Sequence, residues 1–227
     1  MSDFVIDAPL IPSIPVSGGG SFPVRRVYCI GRNYSAHAKE MGGEVTTTPV
    51  VFIKPSNAYV PTGSKVSVPS YSNEMHHEVE LVVVIGKDCR SIVAEKAMDY
   101  VAGYGVGLDF TLRDVQSEAK AKGLPWSTAK SFYASAPVSN IIPIAEIENC
   151  ENCYIELEKK GIIVQKGYTS EMQHSVPQLI AYLSQVFGLR KGDCIFTGTP
   201  KGVGPVESGD KLVATLANKA QLEIEIE

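Results

Sequence analysis

From Pro49 to Ile85 the chain runs through short apolar stretches, VVFIK at 50–54 and KVSVP at 65–69 among them, which proline and glycine keep interrupting. Proline removes a backbone donor and blocks helix continuation, so runs of this length and punctuation predict strands of a bent sheet. The last run carries the most information. His77-Glu78-Val79-Glu80 leads directly into Leu81-Val82-Val83-Val84-Ile85. Successive side chains of a strand point to opposite faces, so Glu78 and Glu80 project together while Val79 buries on the other side. Two carboxylates so close repel each other. A hard cation such as Mg²⁺ or Mn²⁺, with Asp109 at the end of GYGVGLD as a third ligand, would compensate that repulsion. The competing reading is a half-exposed strand with two solvated glutamates.

Elsewhere the pattern stays strand-rich. VYCIG (27–31) reads as a buried strand, NYSAHAKEM as a brief helix ended by Gly42-Gly43, VAGYGVGLD (101–109) as a glycine-loaded strand open to close approach, and Thr111 to Lys122 as a helix. CYIELEKKGIIVQKG predicts a hairpin turning at Lys160-Gly161. Ser175 to Phe187 predicts a helix with a Ser175/Gln178 capping box, Pro177 in its first turn and Gly188 as its stop. DCIFTG, DKLVATL and QLEIEIE return to strands. Residues 1–25, with prolines at 9, 12, 15 and 23 around Ser17-Gly18-Gly19-Gly20-Ser21, read as an irregular arm without regular elements. The order is no regular βαβ alternation, which disfavours a doubly wound sheet. A mixed α+β, mostly β domain over 26–227 is expected.

With 227 residues, 44% hydrophobic and 20% charged, the chain has the composition of a soluble globular protein. Its net charge of −4 offers no basic surface for nucleic acid, and no segment approaches a membrane span. Without the plan of a signal or transit peptide at the N-terminus, a cytoplasmic location is expected. Cys29, Cys89, Cys150, Cys153 and Cys194 are odd in number and read as reduced thiols. Cys150 and Cys153 form a CxxC with no second pair to complete a zinc site, so a structural role is favoured.

Three further groups bear chemistry. His37 and Glu40 lie three residues apart on the short helix, a spacing at which the carboxylate can orient an imidazole that takes a proton from water. The same spacing also describes a solvated surface pair. Arg113 and Gln116 share a helix face beyond Asp109, and with Lys130 could bind an acidic substrate or stabilise an enolate. A surface ion pair is the alternative for Lys130. The loop Thr197-Gly198-Thr199-Pro200-Lys201-Gly202-Val203-Gly204 could turn free backbone N–H groups toward an anion, but lacks the ending of a P-loop.

Taken together, GRNYSAHAKEMG, HHEVELVVVIG, GLDFTLRDVQ, GLPWSTAKSF and FTGTPKGVGPV resemble the fumarylacetoacetate hydrolase superfamily, most closely its acylpyruvate and fumarylpyruvate hydrolase branch. The resemblance runs from about Phe22 to the C-terminus. It implies a β-roll with a few short helices, a homodimer, and one Mg²⁺ or Mn²⁺ per subunit held by Glu78, Glu80 and Asp109. It also implies His37 with Glu40 as the water-activating dyad, Lys130 as the catalytic lysine, and Arg32, Arg113, Gln116 and Thr199 along the substrate site. The larger members carry a separate N-terminal domain and one more metal-binding Asp, which VYCIGRNY does not offer. The implied activity is metal-dependent cleavage of the carbon–carbon bond of acylpyruvates, such as fumarylpyruvate and acetylpyruvate, to pyruvate and a carboxylic acid. Oxaloacetate decarboxylation passes through the same pyruvate enolate and is expected alongside it. The alternatives are an oxaloacetate decarboxylase proper, an isomerase or decarboxylase of aromatic catabolism, or a metal-binding scaffold without catalysis.

Overall fold

The computed structural model describes residues 5–7, 10–40, 42, 46–147 and 150–227. Strands dominate it, as the interrupted apolar runs predict. The central sheet is mixed and runs in the order Val50–Lys54, Val27–Gly31, Cys194–Phe196, Val79–Ile85, Val101–Leu108, Ala136–Val138, Tyr59–Pro61, with Ile142–Pro143 also paired to Val101–Leu108. A second sheet of five strands is built around the hairpin Tyr154–Lys159/Ile162–Tyr168 and the C-terminal pair Lys211–Leu216/Ala220–Ile226. Lys160 and Gly161 turn that hairpin with φ of 51° and 82°, the left-handed pair that a two-residue turn needs.

The reason LVVVI is apolar at every position is that both faces of its strand are covered. Leu81, Val83 and Ile85 enter the core shared with the second sheet, against Leu157, Ala214 and Leu222. Val82 and Val84 enter a separate core with Val27, Cys29, Cys194 and Phe196. Continuous hydrophobic runs are the signature of strands buried on both sides. Ile14, from the N-terminal segment, seals the second core.

That sealing corrects the expectation of an arm without regular elements. Ser13–Pro15 and Ser21–Pro23 pair as an antiparallel hairpin, its loop carried by Gly18, Gly19 and Gly20 at positive φ. Prolines are compatible with so short an edge pair, where missing donors cost little. Asp3 and Pro9 lie outside the described residues.

The glycine-loaded strand Val101–Leu108 does admit close approach, but by side chains and backbone of its own core. A Cβ at Gly107 would stand 2.6 Å from the Phe196 ring and 2.7 Å from Val82. Gly107→Ala is therefore expected to lower stability by roughly 1–3 kcal/mol through overpacking, read as a drop in the urea midpoint. An unchanged midpoint would show that the Phe196 ring can withdraw freely.

The helices are few and short. Val176–Val186 has its capping box, with Ser175 N donating to Gln178 Oε1 at 2.9 Å, and Gly188 follows it at φ 62°. Arg113–Ala121 starts later than expected, because Thr111–Leu112 first pairs with Met75–His77. Ser35–Glu40 is the brief helix after the first central strand; Met41 and Gly43 lie outside the described residues. Among the described residues no helix is long and apolar enough to cross a membrane. Cys150 and Cys153 pack as buried thiols in the larger core, apart from the polar cavity described below.

Candidate active site

The central sheet delivers the carboxylates. Glu80 lies in Val79–Ile85, Glu78 just before it, and Asp109 follows the end of the antiparallel neighbour Val101–Leu108. Asp109 N donates to Glu78 O at 2.8 Å, which locks the two strand ends in register. Glu78, Glu80 and Asp109 each offer an oxygen within 4.8 Å of the others. All three are buried, so the reading of solvated glutamates falls away.

Cations surround two of them. Lys130, only 4% exposed, donates to Glu78 Oε2 at 2.7 Å and to Asp109 Oδ2 at 2.6 Å, which removes the alternative of a surface ion pair. Arg113 bonds Glu78 Oε1 through Nη2 and Gln116 Oε1 through Nη1, the latter at 2.8 Å. Lys54 Nζ lies 2.9 Å from Asp109 Oδ1 and donates to the carbonyls of Ser135 and Phe110 at 3.0 and 3.2 Å and to that of Lys130. Burial would raise the Glu78 carboxyl, but Lys130 and Arg113 outweigh it and hold Glu78 well below the usual carboxylate range. Lys130 is likewise held in its charged form: burial works against it, and Asp109 and Glu78 prevail.

Glu80 is treated differently. Among the described residues no cation pairs with it, and Glu80 Oε2 accepts from Gly198 N at 2.7 Å. Burial first, then repulsion from Asp109 and Glu78, pushes its carboxyl well above the ordinary value. Three buried hard-oxygen donors, one of them short of positive charge, suit a divalent cation of the Mg²⁺ or Mn²⁺ kind. The residues present fit such an ion.

His37 lines the same cavity, with Glu40 beside it. His37 Nδ1 and Glu40 Oε2 are 3.3 Å apart, with His37 buried and Glu40 partly exposed. Burial lowers the His37 pKa below 6.5, against the opposing pull of Glu78 and Glu40. The ring is therefore neutral at pH 7 and able to accept a proton. Both oxygens of Glu40 accept from Gly202 N at 3.1 Å.

This corrects the expectation for the glycine loop. Its N–H groups do face anions, but those of Gly198 and Gly202 are taken by Glu80 and Glu40 of the chain itself. Gly198 sits at φ 99° with its Cα against Asn33, where a Cβ would meet the Asn33 Cβ at 2.7 Å. Asn33 in turn donates to Thr197 O at 2.8 Å and His174 O at 3.0 Å. The loop thus ties the dyad helix to the carboxylate strand.

Arg32, Arg113, Gln116, Lys130 and Thr199 all line the cavity with His37, Glu78, Glu80 and Asp109, and Glu40 stands behind His37. Two buried contributors escape the sequence reading. Lys54 closes the VVFIK run, and nothing local distinguishes it from a solvated strand end. Gln165, 1% exposed in the second hairpin, accepts from Val79 N and bonds His77 Nδ1, while donating to Thr199 Oγ1 and Pro200 O. The only signal for Gln165 is a polar residue at a buried position of an alternating strand.

Residues 26–227 match the family described as fumarylacetoacetate (FAA) hydrolase C-terminal. The chain belongs to this family. Mitochondrial oxaloacetate tautomerase FAHD1 of Bos taurus is 48% identical over 203 residues, 89% of this chain and 92% of the relative. Mitochondrial oxaloacetate decarboxylase of Dictyostelium discoideum is 46% identical over 186 residues, 82% and 85% of the two chains. Among solved structures, a fumarylpyruvate hydrolase from Pseudomonas aeruginosa in complex with Mn²⁺ and pyruvate superposes with a TM-score of 0.94 at 37% identity, covering 99% of both chains. The chain is thus an enzyme-family member with the fold that the motifs imply, and its relatives act on three related 2-oxo acid chemistries.

Proposed function

We propose that the chain is a metal-dependent enzyme that enolises oxaloacetate, exchanging its keto and enol forms and releasing some CO₂ in the process. The observation that carries this reading is the pairing, at one buried cavity, of a three-carboxylate cluster in which Glu80 has no cation partner among the described residues with a neutral histidine held by Glu40. A divalent ion held by Glu78, Glu80 and Asp109 would polarise the 2-oxo group of a bound acid. His37 takes the proton from C3 and returns it to the C2 oxygen, which converts ketone to enol with atoms conserved. Arg113 and Lys130, both anchored on Glu78, hold the carboxylate at the 2-oxo end and set fixed positive charge beside the negative charge that grows on the substrate. When the C3–C4 bond breaks instead, its electron pair enters the same enolate and CO₂ departs. The names of the sequence relatives support oxaloacetate over the acylpyruvate hydrolysis that the motifs alone favour.

Acylpyruvate hydrolysis is the second reading, supported by the solved fumarylpyruvate hydrolase and by the same dyad, which could deprotonate water as readily as carbon. A homodimer remains part of the proposal. The test is keto–enol exchange of oxaloacetate followed by ultraviolet absorbance with Mg²⁺, with Mn²⁺ and with chelator. Metal-dependent exchange above the buffer rate is expected. Absence of exchange, with fumarylpyruvate or acetylpyruvate cleaved to pyruvate, would transfer the function to the second reading.

A further inference from the structure

The helix Arg113–Ala121 presents more to the cavity than the two residues its motif suggests. Arg113, Gln116 and Lys120 recur at i, i+3 and i+7, which is one helical face, and all three line the cavity together with Trp126. At 1.5 Å per residue, Lys120 stands about 10 Å further along the axis than Arg113. Its Nζ lies 5.4 Å from the centre of the Trp126 ring, whose own position is fixed by an edge contact with Phe52. Among the described residues the Lys120 ammonium makes no hydrogen bond or ion pair, whereas that of the next lysine, Lys122, is paired with Glu118. Partial burial first, then Arg113, Arg32 and Lys130, makes the charged form of Lys120 costly. Glu78 offsets this only in part, so a cation crowded by other cations and bonded to no carboxylate has something to gain from one.

We infer that Lys120, braced on Trp126, is the specificity-determining residue that receives the second carboxylate of a dicarboxylic 2-oxo acid, while the 2-oxo acid end lies at Glu78, Glu80 and Asp109. The inference deepens the reading above and rests on it for oxaloacetate as the substrate. The chemistry it selects is broader: any 2-oxo acid with a distal carboxylate is favoured over its monocarboxylic counterpart. The site is partly open to water, so the ion pair is weak, and the expected effect on affinity is about three- to tenfold.

The test uses the whole metal-loaded protein and its Lys120→Gln and Lys120→Arg variants. KM and kcat are measured for oxaloacetate, and for the pair fumarylpyruvate and acetylpyruvate, which differ in the distal carboxylate. Calorimetry adds a binding readout, comparing difluorooxaloacetate, which has no C3 proton and cannot enolise, with pyruvate. Lys120→Gln is expected to raise KM for the dicarboxylates and weaken difluorooxaloacetate, with kcat, acetylpyruvate and pyruvate unmoved, and Lys120→Arg to restore the loss. Equal shifts for dicarboxylic and monocarboxylic ligands, or no shift for either, would overturn the assignment and leave Lys120 as a packing partner of Trp126. Should the wild type ignore oxaloacetate but cleave fumarylpyruvate, the oxaloacetate reading fails while the fumarylpyruvate and acetylpyruvate pair still decides the role of Lys120.

Discussion

Glu80→Gln is expected to lower turnover by at least about 10²-fold, to abolish Mn²⁺ binding in calorimetry, and to leave the metal-free protein at least as stable as the wild type. On the proposed function, Glu80 would hold an ion that would polarise the substrate, and deleting a transition-state stabilising group of that kind costs about 10²–10³-fold or more. The stability outcome follows from what surrounds the side chain. Glu80 is buried against Asp109 and Glu78, whose repulsion outweighs the pull of Lys130, and no cation pairs with it among the described residues, so its negative charge opposes folding in the absence of metal. The amide keeps an oxygen for Gly198 N, now 2.7 Å from Oε2, and removes the charge. Glu80→Ala would lose that acceptor as well, orphan the Gly198 N–H and confuse the two effects. A melting temperature well below wild type for metal-free Glu80→Gln would mean that the carboxylate is compensated by something other than a metal ion. Retained turnover would remove Glu80 from the metal site.

How far the site could be read beforehand depends on whether a residue's role is written in its neighbours along the chain. Glu78 and Glu80 are legible because strand alternation fixes their common face and the LVVVI run fixes burial of that strand on both sides. The Ser175 cap and the Lys160-Gly161 turn are legible for the same reason: each is a local bargain between a side chain or backbone and the residues beside it. Lys54 and Gln165 are not, because their partners lie across the sheets, at Asp109 and Lys130 for one and at Val79 and Thr199 for the other. The glycine loop marks the boundary. Its free N–H groups are predictable from composition, but which anions they meet depends on the approach of the dyad helix and the carboxylate strand from separate parts of the chain. The N-terminal hairpin failed in the opposite direction. Proline and glycine content argued against regular structure, and the burial of Ile14 over the second core outweighed it.

His37→Asn is expected to reduce kcat by about 10²–10⁴-fold, the usual worth of a general base, with metal affinity preserved. The pH profile tests the role more sharply than the loss itself. A base works only while unprotonated, so turnover falls as pH drops through the His37 pKa. Burial places that pKa below the ordinary 6.5, with Glu78 and Glu40 partly offsetting the shift, so the acid limb of kcat in the wild type lies below 6.5. Glu40→Gln removes one of the groups that raise it. The variant should therefore show a lower plateau, because the ring has lost its orienting charge, and an acid limb displaced further toward low pH. Gly202 N can still donate to the amide oxygen, so the loop contact survives and the displacement reports charge rather than loss of structure. An acid limb left in place by Glu40→Gln would assign the titration to another group and detach the dyad from the proton transfer.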